Sequence, residues 1–270
     1  MKQFYIITNQ TKDKNLEITE KIKEYIKSKQ RQCIVAVDGV EVPQNTDCIL
    51  VIGGDGTLIR AAREHVRSNI PLLGINMGTL GYLTEAEITD VEECLDMLMD
   101  DKAQIEERMM IQGVLPSGEE HVALNDIVLT RHGALRLIEF RVYVNGELLN
   151  TYRADGMIIS TPTGSTAYNL SAGGPIVKPT AEMIVVTPIC PHSLNNSSII
   201  LSAEDEIILQ IGEGRDGGIE NASVSFDGET NIEVKTGEQI VISRSENTTK
   251  LMKLSKVSFL EILRKKMRGN

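Results

Sequence analysis

The hydrophobic pattern changes period near residue 106, and that change limits what the chain can fold into. Over the first hundred residues, short apolar runs alternate with helical patterns. Residues 4–8, 33–37, 48–52 and 71–75 read as strands. The runs at 33–37 and 48–52 are continuously apolar, as expected of strands covered on both faces. Residues 15–27 place Ile18, Ile22, Tyr25 and Ile26 on one helical face, and residues 57–67 are helical in composition. Thr89 with Glu92 reads as a capping box ahead of Val91, Cys94, Leu95, Leu98 and Met99. Strand–helix alternation predicts an open parallel sheet with helices packed on it.

After residue 106 the apolar runs shorten and recur about every ten residues: 108–115, 122–129, 137–144, 157–161, 183–188, 206–211, 223–226 and 239–243. Turn signals separate them. The strongest is Asn145-Gly146, a pair suited to a tight hairpin turn at positive φ. This half is expected to be all-β and sandwich-like, broken by one helix near 165–172. The expected division is an α/β domain over 1–105 and a β-sandwich over 106–256. A basic amphipathic helix over 257–268 is expected to pack back on the first domain.

Composition removes several function classes. The chain has 270 residues, no Trp and few aromatics, so its core must be built mainly from Ile, Leu, Val and Met. A formal net charge of −10 disfavours nucleic acid and anionic membranes as partners. No run approaches the roughly 20 apolar residues that span a bilayer. The N-terminal residues lack a signal-peptide pattern, so the expected location is cytoplasmic. Cys33, Cys48, Cys94 and Cys190 are scattered and read as reduced, mostly buried thiols. The four histidines form no metal-binding pattern.

Two glycine loops carry the chemistry. The run at 48–52 leads into Gly53-Gly54-Asp55-Gly56-Thr57, with a helix directly after it. Glycines let backbone N–H groups approach a ligand, and a helix N-terminus favours phosphate. The loop has no lysine and is not a Walker A sequence, so N–H groups and a metal must supply more of the positive charge. Asp55 is the informative residue, because a bare carboxylate in a phosphate cradle repels the ligand. It fits the site if it takes a proton from an attacking hydroxyl or holds Mg²⁺. It could equally cap the helix or form a turn. A second glycine loop, residues 74–82, follows the next strand. Both loops would face one crevice at the carboxyl edge of the sheet, unless their glycines serve only ordinary turns.

Residues 152–175 read YRADGMIISTPTGSTAYNLSAGGP. A strand ends there in a Thr/Gly/Ser loop able to hydrogen-bond a polar ligand. Tyr168 offers an aromatic face, and Asp155 can accept from an amine or a ribose hydroxyl. Adenosine has the complementary groups.

Taken together, GGDGT at 53–57, ALND at 123–126 and DGMIISTPTGSTAYNLSAGGP at 155–175 closely resemble the NAD kinase family, in order and spacing, over essentially the whole chain. GGDGT alone is shared with lipid kinases and phosphofructokinases; the long second stretch is specific. The resemblance implies an α/β domain, a β-sandwich domain and an active site between them. It implies transfer of a phosphoryl group from ATP or another donor, with Mg²⁺ or another divalent metal, to the 2′-hydroxyl of the adenosine ribose of NAD.

The implied catalytic residue is Asp55. The implied nucleotide contacts are Gly54, Gly56, Thr57, Asn125, Asp126, Arg136, Arg153, Asp155, Thr166, Ala167, Tyr168 and Ser171. Arg60, Tyr82, Thr163 and Ser165 join this set from their positions in the loops. Arg60 could equally be a solvated helix-face charge. Family members are homodimers or homotetramers. Asp126 stands where many members have Glu; being one methylene shorter, it would reach its ligand through water. Glu229 stands where many have Gln, and a carboxylate cannot donate as an amide does. Two other readings compete: a lipid kinase using the same loop, and a non-catalytic NAD(P) sensor.

Overall fold

The computed structural model describes residues 1–36, 41–78, 81–132, 138–192, 197–214, 217–229, 231–255 and 257–268. The chain divides into two compact units, Met1–Arg108 with Thr248–Asn270, and Met109–Asn247.

The first unit is built on parallel strands. Its elements are β1 (Gln3–Thr8), α1 (Glu17–Ser28), β2 (Gln32–Val35), β3 (Cys48–Gly53), α2 (Asp55–Glu64), β4 (Leu72–Asn76), β5 (Ala86–Glu87) and α3 (Val91–Met99). The strands run β2-β1-β3-β4, all parallel, and β5 adds to the carboxyl end of β4. Strand β3 is buried along its whole length. Its apolar run therefore has the covered faces expected of it. Strand β2 does not: Gln32 is exposed and Cys33, Ile34 and Val35 are only half-buried. It pairs with β1 alone among the described strands, so one edge is uncovered. Val37 lies outside the described residues.

Helix α1 buries Thr19, Ile22 and Ile26, the spacing of a single helical face. Its N-terminus is held from outside, since Asp13 accepts from the N–H groups of Ile18 and Thr19 and from the Thr19 hydroxyl. The capping box expected at Thr89 does not form. A 3₁₀ turn over Ile88–Asp90 precedes α3, which moves the cap position to Asp90, and Asp90 makes no side-chain cap bond.

The second unit is antiparallel. Its elements are β6 (Gln104–Val114, entering from the first unit), β7 (Glu120–Ala123), β8 (Asp126–Arg131), β9 (Ile138–Val144), β10 (Glu147–Ala154), β11 (Gly156–Ser160), α4 (Tyr168–Ser171), β12 (Met183–Ile189), β13 (Ile199–Ser202), β14 (Ile207–Ile211), β15 (Asn221–Phe226), β16 (Ile232–Lys235) and β17 (Gln239–Lys253). One sheet runs β13-β12-β11-β8-β15-β16. Strands β10-β9-β14-β17 form a second antiparallel run, and β6 pairs with β7. Met157, Ile159, Val186 and Phe226 from the first sheet share one core with Phe140, Val142, Leu209 and Ile242 from the second. This is the layering of a sandwich.

The Asn145-Gly146 turn has φ of 51° and 81° and joins β9 to β10, as the dipeptide predicts. The run at 122–129 is two strands rather than one, broken at Leu124-Asn125. The helix near 165–172 is shorter than expected, with a 3₁₀ turn over Gly164–Thr166 followed by the single turn of α4.

Strand β17 ends in the first unit, where Leu251 pairs in parallel with Leu72. Lys253 meets the buried Glu85 carboxylate at 2.7 Å. Glu85 also accepts from the N–H groups of Leu254 and Ser255. Helix α5 (Phe259–Met267) follows, capped by Ser258, whose hydroxyl accepts from the Glu261 N–H.

No described cysteine is in a disulfide. Cys48 is buried, which pushes its thiol up to about 12. Cys33 and Cys94 are half-buried and Cys190 is exposed, so burial of the thiols is less general than expected. No described helix is long and apolar enough to cross a membrane.

Candidate functional site

In the first unit, the buried strand β3 delivers Gly53 and Gly54 to the start of α2. Gly54 is the N-cap in extended conformation, and Asp55 is the first helical residue. Gly53 has no room for a side chain: a β-carbon there would lie 2.5 Å from the Thr57 hydroxyl, which folds back over it. The Asp55 carboxylate points away from its own helix. Its Oδ2 accepts from the Tyr82 N–H at 2.7 Å, and its Oδ1 accepts from Leu83 and Thr84 at 3.1 and 3.3 Å. These contacts require Gly81, because a β-carbon there would stand 2.0 Å from Oδ1.

The second glycine loop therefore wraps onto the first, as their shared edge of the sheet predicts. A further bond runs from the Met77 N–H to the Gly53 carbonyl. Thr79 and Leu80 lie outside the described residues. A carboxylate has about four acceptor positions, and the loop takes three, leaving Oδ2 able to accept once more. The Gly56 side is open, with nothing within 4 Å of where its β-carbon would be.

Arg60 is exposed, 4.0 Å from Glu64 one turn on. Tyr82 is half-buried; burial, and then the Asp55 charge, raise its phenol above the ordinary value. The Lys266 ammonium sits 5.6 Å from its ring centre.

In the second unit, Asp227 organises the ALND stretch. Its carboxylate accepts from the N–H groups of Leu124, Asn125 and Asp126 at 2.9, 2.7 and 3.1 Å. That clamp is why one apolar run becomes two strands. Asp227 stands at φ 53°, in a turn following β15.

Asp126 is 4% exposed. Burial, and secondarily the Asp227 charge, push its carboxyl up to about 7. A carboxyl that keeps its proton to about pH 7 when folded, but only to the ordinary 3.8 when unfolded, stabilises the fold fully below pH 4. That contribution is lost as pH rises toward 7, because the unfolded chain then binds fewer protons. Asp126→Asn should remove this slope, so that the variant gains on the parent between pH 4 and 7. Denaturant melts across that range test it, and parallel curves would contradict it.

The loop after β11 divides into an inner and an outer set. Inside, the Thr161 hydroxyl donates to the Leu124 carbonyl and the Thr161 N–H to the Asn125 carbonyl. Gly164 lies flat on Asn125, where a β-carbon would be 2.1 Å from the carbonyl oxygen. The buried Ser165 hydroxyl donates to the Pro162 carbonyl and accepts from the Val177 N–H. It serves the loop's own structure. Thr163 is also buried. Buried Asn169 ties the turn together through Ser165, Pro175 and Thr187. Outside, Thr166 and Ala167 are half-exposed, while Ser171 is exposed and Tyr168 is 43% exposed.

Asp155 pairs with Arg131 at 2.8 Å. Arg153 is exposed and lies 3.9 Å from Glu139. Arg136 lies outside the described residues. Glu229 is exposed.

The expected site residues thus form two local groups. Gly54, Asp55, Gly56, Thr57 and Tyr82 gather in the first unit. Asn125, Asp126 and the 163–171 loop gather in the second. Sequence reasoning missed Asp227, Arg131 and, in the first unit, Asn9 and Lys12. Asn9 follows β1 at the carboxyl edge of the parallel sheet and donates to the Thr57 hydroxyl at 3.2 Å. Its place after a parallel strand was the available signal.

Residues 40–103 match the family model for the ATP-NAD kinase N-terminal domain, and residues 124–254 match that for the C-terminal domain. The chain is 48% identical to an NAD kinase of Lachnospira eligens, over 99% of this chain and all of that protein. It is 49% identical to an NAD kinase of Agathobacter rectalis, over 100% and 99%. Among solved structures, an NAD kinase from Archaeoglobus fulgidus in complex with ATP superposes with TM-score 0.82 at 26% identity, over 98% of each chain. Yeast NADH kinase complexed with NADH shares the fold, with TM-score 0.80 at 24% identity, over 100% of this chain and 88% of that one.

Proposed function

The chain belongs to the NAD kinase family, phosphotransferases that convert NAD to NADP, and on that premise we propose how its residues divide the work. Asp55 is the catalytic base. It accepts the proton of the ribose 2′-hydroxyl as that oxygen bonds to the terminal phosphorus of ATP, the bridging anhydride bond breaks and ADP leaves. The observation that carries this role is the state of its carboxylate: three backbone N–H groups fix its orientation, and one acceptor position is left over. A base held in that way loses little freedom when the substrate arrives.

The loop around Gly54, Gly56 and Thr57 faces the phosphates with the N–H groups of the first turn of α2, which have no acceptor within the helix. Asn125 and the outward rim of Thr166, Ala167, Tyr168 and Ser171 carry the dinucleotide. Thr163 and Ser165 shape the loop beneath that rim. Asp155 with Arg131, and Arg153, contribute further polar contacts. Tyr82 acts through its N–H, which orients Asp55.

No three described His, Cys, Asp or Glu side chains converge on a metal-sized site. A divalent cation such as Mg²⁺ would enter as a companion of the donor's phosphates. When bound, it would neutralise phosphate charge, which matters on a chain of net charge −10. The resemblance also supports a homodimer or homotetramer, and the four unpaired cysteines fit a reducing cytoplasm.

The test is purified protein with ATP, Mg²⁺ and NAD, followed for NADP. Formation of NADP supports the assignment. Tight dinucleotide binding without turnover would support the sensor reading in its place. Repeating the assay with polyphosphate and with NADH defines the donor and acceptor range.

A further inference from the structure

The glycine loop has no lysine of its own, yet the fold brings one to it. The turn after β1 is built around Asn9. Its N–H donates to the Ile52 carbonyl at 2.9 Å, fixing it to the strand that enters the loop. Its Oδ1 accepts from the N–H groups of Thr11 and Lys12, and its Nδ2 donates to Thr57. Asp13, 2% exposed, closes the turn by anchoring the start of α1. Lys12 stands between these two anchors. Its Nζ lies 3.4 Å from where a β-carbon on Gly54 would be. The side chain is exposed and has no carboxylate partner among the described residues.

We propose that Lys12 is the cation that contacts the phosphate chain of the triphosphate donor, in the role a P-loop lysine plays elsewhere. This rests on the assignment of the 53–57 loop to the donor phosphates. Two physical arguments support it. A Lys ammonium has three donors and a compact charge suited to phosphate oxygens. An unpaired cation beside the N-terminus of α2 also adds to like partial charge there. Together they present positive charge to an arriving anion, beside the Asp55 carboxylate of the same turn. Asn9 is then a positioning residue, because it sets the turn that presents Lys12 and links it to Thr57.

The test compares the full-length enzyme with Lys12→Met, Lys12→Arg and Lys14→Met, Lys14 being an exposed neighbour outside the loop contacts. Steady-state kinetics are run with ATP varied and with NAD varied, alongside inhibition by tripolyphosphate and by adenosine. Lys12→Met should lower kcat/KM for ATP by about ten- to a hundredfold, the usual effect of a charge-assisted hydrogen bond. The KM for NAD should stay within about twofold. Lys12→Arg should recover most of the loss and Lys14→Met should show none. Tripolyphosphate should inhibit Lys12→Met more weakly than the parent, while adenosine inhibits both equally.

Lys12→Met kinetics equal to the parent's, with the parent active, would overturn the lysine proposal and leave the family activity standing. A loss shared equally by the ATP and NAD parameters, and not recovered by Arg, would also overturn it. A parent that makes no NADP would sink the proposal together with the reading beneath it.

Discussion

Asp55→Asn should turn NAD over about 10²- to 10⁴-fold more slowly than the parent while still binding NAD, the range expected when a general base is removed. The structure sharpens this expectation. An amide keeps one acceptor oxygen, which can still serve Leu83 and Thr84, but it points an NH₂ group at the Tyr82 N–H. Two donors then face one another, so the loop should lose about 1–3 kcal/mol as well. The two effects are separable. Melting midpoint and NAD titration report the loop, and single-turnover NADP formation at saturating NAD reports the chemistry. Normal single-turnover rates in a variant with a lowered midpoint would leave Asp55 as a loop anchor and remove it from the proton transfer.

Asp227→Ala should be the most damaging substitution in the second unit. Its carboxylate is the acceptor for three successive N–H groups, 101 to 103 residues away in the chain. Buried or half-buried N–H groups without acceptors cost about 1–3 kcal/mol each. Partial access of water and loss of the Asp126–Asp227 repulsion lower the sum, giving an expected loss of about 3 kcal/mol. NAD binding should fall with it, because Asn125 loses the N–H contact that holds it in register, while Gly164 packs on its carbonyl. Urea unfolding and NAD titration on the same preparation check this. A stability within about 0.5 kcal/mol of the parent, at unchanged affinity, would show that the 124–126 segment holds its shape without the clamp.

The readable part of this fold was the part carried by local chemistry. The run at 48–52 announced a fully covered strand, and GGDGT announced the turn into a helix. Asn145-Gly146 announced a hairpin through the positive φ that both residues adopt. The two glycine loops were readable as neighbours because strands β3 and β4 are parallel and consecutive. What escaped lacks a local signature. The Asp227 clamp pairs a turn residue with N–H groups a hundred residues earlier, and no periodicity encodes that. Its effect, the break between β7 and β8, was hidden inside one apolar run. The Thr89 capping box failed because a 3₁₀ turn moved the helix start one residue on, a difference that composition does not register. Lys12 was invisible for the same reason as Asp227, since its relevance comes from the Asn9–Thr57 bond. Ser165 and Thr163 look like ligand hydroxyls in sequence; both are buried, and the Ser165 hydroxyl is engaged with Pro162 and Val177 of its own loop.

The account stands on Asp55 receiving a proton from the ribose. A crystal structure of the protein with NAD bound measures this most directly, through the distance from Asp55 Oδ2 to the adenosine ribose 2′-oxygen. Proton transfer predicts about 2.6–3.2 Å, or the same reach through one water. A 2′-oxygen well beyond that reach, with neither water nor metal between, would contradict it.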